Sequence, residues 1–476
     1  MLKRTKIVAT LGPASDDTET LRGMINAGMD VARLNFSHGT AEDHQRRAEA
    51  LRTAAELCGR AIGIMGDLQG PKIRIRRFAN HSIALSDGDK FFLDSALGLM
   101  DGNQEGVGVA LDTIHEDVSS GDVLLLNDGL ITLKVDSVDG TRIHTTVVNG
   151  GILSDHKGIN LKGGGLSAAA LTDIDKENIK LAAKMDLDFL AVSFVRNGED
   201  VEAARRLLTE AGGHALIVAK VERAEAVENI NSIIAAADVV MVARGDLGVE
   251  MGYAELTGIQ KKLIRKTRKA HKIVITATQM MESMIQNPIP TRAEVSDVSN
   301  AVMDGTDALM LSGETAVGAY PVGAVREMSE IVIGAEKYPL PISRHRMDDH
   351  FALVDEAIAM ATMYTANHMS VKAIIALTES GSTTRWMSRI RSDIPIYAFT
   401  PHVETSRRVA MYRGVYPVSF SSDIDNPRAL YQDIFDTLLA NKLVKVGDLA
   451  ILTKGEVDRI SGSTNSMTVL QIEPSS

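Results

Sequence analysis

Through most of the first 335 residues, short apolar runs rich in β-branched residues alternate with stretches whose apolar positions recur at helical spacing. The runs predict eight strands, at 5–11, 31–35, 61–67, 189–194, 215–221, 239–243, 272–278 and 308–311. Helical pattern fills nearly every interval, as at 18–27 and 41–57. Each strand is apolar on both faces, as expected of a parallel sheet covered on both sides. Eight βα units predict an α/β fold of the (β/α)₈ barrel type. Counting alone leaves a doubly wound sheet open as the alternative.

Between 70 and 166 the texture changes to period-two alternation, broken by Asp-Gly pairs at 87–88, 128–129 and 139–140. Asp-Gly between alternating runs predicts hairpins. The segment therefore reads as a small β-barrel inserted after the third strand. Insertions there sit on the C-terminal face of a barrel, so a lid is the natural reading. Past Pro341 the αβ pattern restarts, with a helix at 354–367, a strand at 373–377 and a final β run at 466–472. The expected division is 1–69 with 167–338 as barrel, 70–166 as lid, and 339–476 as an open α/β domain. Pro339 and Pro341 flank the last boundary. No short repeat is apparent.

A chain of 476 residues is too long for one core, which agrees with this division. Its net charge of -11 argues against nucleic acid and requires any anion site to use a few local cations and backbone N–H groups. No apolar run reaches the roughly 20 residues of a membrane span; the best, 233–243, carries Asp238. Lys3, Arg4 and Lys6 precede an apolar run too short for a signal peptide. The single cysteine, Cys58, fits a reducing compartment and reads as a buried small hydrophobe. The expected location is the cytoplasm.

Functional side chains of such a barrel come from the C-terminal ends of its strands. Thr10, Arg33, Asn35, Asp67, Lys220, Glu222, Asp246 and Thr278 all stand at or just past an apolar run. Any one could simply begin a loop; together they form a set of cations, carboxylates and hydroxyls. Lys220 and Glu222 are two apart and share a face of an extended segment. A solvated lysine would be wasteful after the apolar run before Lys220. Glu222 and Asp246 offer two carboxylates from neighbouring strands, a number that suits Mg²⁺. Gly245 and Gly248 around Asp246 suggest a sharp turn with exposed N–H groups that would bind a carboxylate or phosphate. Neither GxxxxGK[ST] nor GxGxxG occurs, so spacing alone reveals no nucleotide. In the last domain, Thr378-Glu379-Ser380-Gly381-Ser382-Thr383-Thr384 follows a strand and opens a helix. Either an N-cap or a phosphate site fits that pattern.

The segments KIVATLGPAS (6–15), ARLNFSHG (32–39), GDLQGPKIR (66–74), KGIN (157–160), LIVAKVERAEA (216–226), ARGDLGVE (243–250), ITATQMMESM (275–284), PTRAEVSDVSNAV (290–302) and GTDALMLSGETA (305–316) resemble pyruvate kinase from end to end. GDLQGPKIR is similar to the bacterial type II branch. The resemblance implies Mg²⁺-dependent phosphoryl transfer from phosphoenolpyruvate to ADP, giving pyruvate and ATP, the last step of glycolysis. It also implies a homotetramer. Mn²⁺ would substitute for the metal. Arg33 would bind the substrate phosphate, with Asn35, Ser37, His38, Arg74 and Lys157 around the phosphates and nucleotide. Lys220 would sit on the transferring group, and Glu222 and Asp246 would hold the metal. Gly245, Asp246 and Thr278 would bind the carboxylate, with Thr278 helping a water protonate the enolate carbon. Thr378, Ser380, Gly381, Ser382 and Thr383 would hold an effector's phosphate. The loop after Lys454 lacks the pattern that goes with fructose bisphosphate, so a sugar monophosphate or AMP is expected instead.

Two departures concern potassium. Where potassium-dependent members carry Thr after the Asp67 position and Glu five residues past it, this chain has Leu68 and Lys72. The Lys72 ammonium, near Asp67, would stand in for the ion, removing any need for K⁺. Two rival readings remain at this point. A barrel lyase or aldolase would need neither lid nor Arg74. A catalytically dead effector-binding regulator would lack Lys220, Glu222 or Asp246, and all are present.

Overall fold

The computed structural model describes residues 2–338, 350–422, 426–455 and 462–474. Eight parallel strands close into a barrel: β1 (Lys6–Leu11), β2 (Val31–Asn35), β3 (Gly63–Asp67), β4 (Phe189–Val192), β5 (Leu216–Val221), β6 (Val239–Ala243), β7 (Ile273–Ala277) and β8 (Ala308–Leu311). The pairing of Lys6 with Ala308 joins β1 to β8 and removes the doubly wound alternative. Three of the eight strands match their expected bounds; the others end one or two residues inside them. Helix Thr18–Ala27 begins where the Asp17 side chain accepts the Thr20 N–H, and Ala41–Leu57 begins at a Thr40–Asp43 capping box. Cys58 ends that second helix, half-buried against the barrel core rather than within it.

A repeat that the sequence reading missed organises the barrel floor. Asp30, Asp188, Asp238 and Asp307 stand one residue ahead of β2, β4, β6 and β8. Each accepts a backbone N–H from the preceding odd strand: Ile7 (2.9 Å), Ile64 (2.8 Å), Ile217 (2.9 Å) and Val274 (2.9 Å). Each also meets a cation, Lys3, Arg407, Arg205 and Arg389 respectively. These strand-start N–H groups would otherwise lie buried and unpaired.

The insertion forms a six-stranded sheet and a two-stranded one. Segment 73–76 bonds along both edges of the larger sheet, to Lys157 and Ile159 on one side and Gly108 and Ala110 on the other, which rounds it into a small barrel. Two of the three Asp-Gly turns are hairpins, joining Val123–Leu126 to Ile131–Asp139 and that strand to Arg142–Asn149. Asp87-Gly88 is not. Its flanking strands, Ser82–Leu85 and Lys90–Asp94, pair with different partners, so the turn crosses between sheets.

The C-terminal domain is a five-stranded sheet whose last strand, Thr464–Gln471, is antiparallel to the rest. Its apolar residues, among them Met363, Ile374, Met387 and Val415, are continuous with the barrel interior at Val8, Met65, Met241 and Met310. The domain therefore plugs the floor of the barrel. Lys6 crosses the seam to the Val415 carbonyl at 2.5 Å. Pro339, Pro341 and most of the loop after Lys454 lie outside the described residues.

Candidate active site

At the C-terminal end of the barrel, the expected charges meet. Arg33 Nε lies 2.6 Å from Asp67 Oδ2, and its Nη1 donates to Thr10 Oγ1 at 3.0 Å. The second Asp67 oxygen is 3.2 Å from Lys220 Nζ, which also reaches Glu222 Oε1 at 3.0 Å. The other Glu222 oxygen accepts the Phe194 N–H at 2.8 Å. Arg33, Asp67, Lys220 and Glu222 are all buried. Burial alone would drive Asp67 toward its neutral form, but Lys220 and Arg33 outweigh it and hold the carboxyl below its usual range. For Lys220, burial pulls the ammonium down while Asp67 and Glu222 leave its pKa above normal. Glu222 goes up: burial leads, Lys220 opposes it, and the nearby Asp246 and Asp67 charges add to it.

Glycine 245 does not open a turn. Residues Arg244–Met251 are helical from the end of β6, and Gly248 packs against Tyr253. The Gly245 N–H donates to Thr278 Oγ1 at 2.8 Å. Thr278 and Gln279 both adopt left-handed backbone, at φ 66° and 52°. Such non-glycine residues persist only where their surroundings hold them. The guanidinium of Arg244 does so, donating to the carbonyls of Thr278 (2.8 Å) and Gln279 (3.2 Å) and pairing with Asp297 at 2.7 Å.

Lys72 lies elsewhere than expected. Its ammonium is 3.0 Å from Asp246 Oδ1 and 3.8 Å from Asp128, while Asp67 is taken up by Arg33 and Lys220. Its reach beyond the Gly70-Pro71 bend carries it toward β6 rather than β3. Asp246 and Glu222 fit a hard divalent cation. They are two carboxylates at the open end of the barrel, and the Asp246 charge adds to the burial that raises Glu222.

Sequence reasoning missed Ser193, which follows β4 and accepts Lys220 Nζ on its Oγ at 2.7 Å while donating to the Leu68 carbonyl at 2.7 Å. It is a polar residue ending an apolar run, the same signal that found the others. Glu250 was missed as well. It joins the insertion to the barrel, accepting from Asn160 (3.2 Å) and from the Ala224 N–H (2.9 Å).

Comparison with known proteins gives this geometry its family. Residues 2–325 match the pyruvate kinase barrel domain and 356–470 match the pyruvate kinase alpha/beta domain. The chain belongs to the pyruvate kinase family. It is 54% identical to pyruvate kinase II of Salmonella typhimurium, over 99% of each chain, and 40% identical to a pyruvate kinase of Mycobacterium tuberculosis. A crystal structure of a pyruvate kinase from Cryptosporidium parvum superposes with a TM-score of 0.93 at 34% identity, covering 99% of this chain and 96% of that one. The activity is thus phosphotransfer between phosphoenolpyruvate and ADP, with pyruvate as product. The lyase and aldolase alternative falls.

Within this pyruvate kinase fold the remaining candidates divide by place. Arg74 and Lys157 lie on adjoining segments, where Arg74 bridges Gly158 and donates to the His156 carbonyl at 2.8 Å. Ser37 and His38 are exposed in the turn after β2, where Asn35 accepts the Ser37 N–H at 3.2 Å. In the C-terminal domain, the Thr378 hydroxyl accepts the Gly381 N–H, Ser382 donates to Asp355, and Thr383 meets Thr464. Each of these hydroxyls has a separate partner, and the Asp355 carboxylate faces the same loop.

Proposed function

We propose that this enzyme transfers the phosphoryl group of phosphoenolpyruvate to ADP with Mg²⁺, or Mn²⁺ in its place, and without potassium. We further propose that it works in the cytoplasm as a homotetramer activated by a sugar monophosphate or AMP. The observation that carries the mechanistic part is Lys220, a buried ammonium shared among Asp67, Glu222 and Ser193 at the open end of the barrel.

Phosphoryl transfer depends on positioning and on neutralising charge on the moving group. Arg33, fixed by Asp67 and Thr10, would offer its remaining donors to the substrate phosphate. Lys220 would meet the transferring group and the developing enolate oxygen. The Gly245 and Asp246 N–H groups, with Thr278, would orient the carboxylate, the Gly245 N–H turning to it from the Thr278 hydroxyl that it meets at 2.8 Å. Thr278 would position the water that protonates the enolate carbon. Asn35, Ser37, His38, Arg74 and Lys157 would line the nucleotide. Glu222 and Asp246 would hold the metal, which neutralises phosphoryl and enolate oxygens when bound. The inserted domain would act as a lid that keeps water from the phosphoryl group.

Three consecutive glycines, 163–165, support that motion, since all have positive φ (88°, 84°, 112°) on the chain returning to the barrel. Support for potassium independence comes from Leu68, whose buried side chain supplies no oxygen, and from Lys72, whose fixed charge sits on Asp246. Initial rates of pyruvate release, in tetramethylammonium buffer, test the reading. Release should require both ADP and Mg²⁺ and should rise little with potassium chloride. Release without ADP would overturn the reaction, and a large potassium stimulation would overturn the role of Lys72.

A further inference from the structure

At the opposite end of the barrel, a cavity of about 420 Å³ opens between the barrel and the C-terminal domain. That volume lies in the range of small-molecule pockets. Its uncharged wall includes Met303, Ala366 and Met369, and its charged wall is Arg4, Arg391 and Arg413 with Glu336 and Asp393.

Two of the arginines are poorly matched. Arg4 is not one of them: it engages Glu336, the Ser392 carbonyl and Asp393. Arg413 reaches the same Glu336 at 3.4 Å, and its buried Nε has no partner among the described residues. Among the described residues, Arg391 makes one side-chain hydrogen bond, to the Met303 carbonyl at 3.2 Å. Behind the cavity wall, Arg268 donates to the Arg389 carbonyl at 3.4 Å, and burial with the neighbouring guanidiniums draws it down to about 10. Against Arg4, Arg268, Arg389, Arg391 and Arg413 stand the buried Asp307 and Glu336, the exposed Asp393, and Asp304, whose charge acts on Arg391. Capping the carbonyls that end helices Arg292–Asp304 and Pro321–Glu336 explains part of this cluster. It uses one of the five N–H donors of Arg391. Desolvated cations in excess of their anions call for a further anion.

We propose that this interdomain cavity binds a small organic anion, its phosphate or carboxylate head on Arg391 and Arg413 and its uncharged body against Met303, Ala366 and Met369. The occupant would touch both domains and so tighten their joint. It would not reach the chemistry, which lies at the other end of the strands.

Titration of the full-length enzyme with phenyl phosphate and with benzoate, by calorimetry, tests the site and separates the two head groups. One probe should bind once per chain. Arg391→Gln and Arg413→Gln should each weaken it by about tenfold or more, in line with the loss of a charge-assisted contact. Replacing Thr378, Ser380 and Thr383 together with Ala should leave it unchanged. In the unmodified enzyme, phenylglyoxal labelling read by peptide mass should show Arg391 protected by the probe, which covers the case of a variant that misfolds. Absence of binding by both probes would overturn the proposal. So would binding that survives both substitutions, or labelling of Arg391 that the bound probe does not slow.

Discussion

Replacing Lys220 with Met removes an ammonium while keeping most of the apolar stem, and the structure sets two separate consequences. In the resting protein, Asp67 loses a contact at 3.2 Å but keeps Arg33 at 2.6 Å. Glu222 loses its Lys220 partner at 3.0 Å and keeps the Phe194 N–H. Breaking a buried pair costs about 3–5 kcal/mol, and the retained contacts place this case near 3. In the reaction, loss of a cation on a transferring phosphoryl group is worth on the order of 10³–10⁵ in kcat. That corresponds to about 4–7 kcal/mol of transition-state stabilisation. Substrate binding should change far less, within about tenfold, because the interaction strengthens mainly as charge develops.

Calorimetric binding of phosphoenolpyruvate and steady-state pyruvate release, both well below the melting transition of the variant, separate the two consequences. A melting curve run alongside should show the stability loss. If the dissociation constant for phosphoenolpyruvate weakens as much as kcat falls, Lys220 serves affinity and the assignment is wrong. Unchanged melting would show that the buried carboxylates do not depend on it.

Lys72→Glu should set a carboxylate against Asp246 and create a potassium requirement, more so with Leu68→Thr; rates with and without potassium chloride read this directly. Replacing Thr378, Ser380 and Thr383 with Ala should leave saturated activity intact and abolish activation by ribose 5-phosphate, glucose 6-phosphate or AMP, measured at low phosphoenolpyruvate. Burial pushes Glu250 up to about 7, so the folded state holds that proton more tightly than the unfolded one; stability from this group is full at low pH and is lost as pH rises toward 7. Melting temperatures of Glu250→Gln should therefore gain on the unmodified protein between about pH 5 and pH 8. Arg407→Ala should strand the buried Asp188 and lower the melting temperature by several degrees, with kcat within about twofold.

The barrel was legible because each strand is built on a short apolar run, and polar residues at or just past the end of such a run meet at the open end. That rule found Arg33, Asp67, Lys220 and Thr278, and applied evenly it finds Ser193 too. Charge partners were not legible. Lys72 is five residues from Asp67 in the chain, yet its reach beyond Gly70-Pro71 brings it to Asp246. Pairing between strands was only partly legible: Asp139-Gly140 closes a hairpin, whereas the equally strong signal of Asp87-Gly88 joins strands of different sheets. Turn chemistry specifies a local reversal, not which strands then bond. Gly245 and Gly248 misled for a related reason. Glycine permits a sharp turn without requiring one, and packing against Tyr253 explains Gly248 as well.

The two ends of the barrel use charge in opposite ways, and the difference reads from where a carboxylate stands relative to its strand. Asp30, Asp188, Asp238 and Asp307 precede β2, β4, β6 and β8, and each is matched twice, by an N–H of the odd strand before it and by a cation. A hydrogen bond to a charged group contributes about 1.5–3 kcal/mol, so four of them can fix strand register around the whole floor. Asp67 ends its strand and Glu222 and Asp246 follow theirs, and there the matching is incomplete. Lys220 is divided among three oxygens, and Glu222 is raised by like charges as well as by burial. On the proposed reading, a divalent cation would relieve Glu222 at the open end, and a phosphate would give Arg33 and Lys220 a second partner there. An acidic residue just before an apolar strand therefore reads as register, and one just after it reads as chemistry.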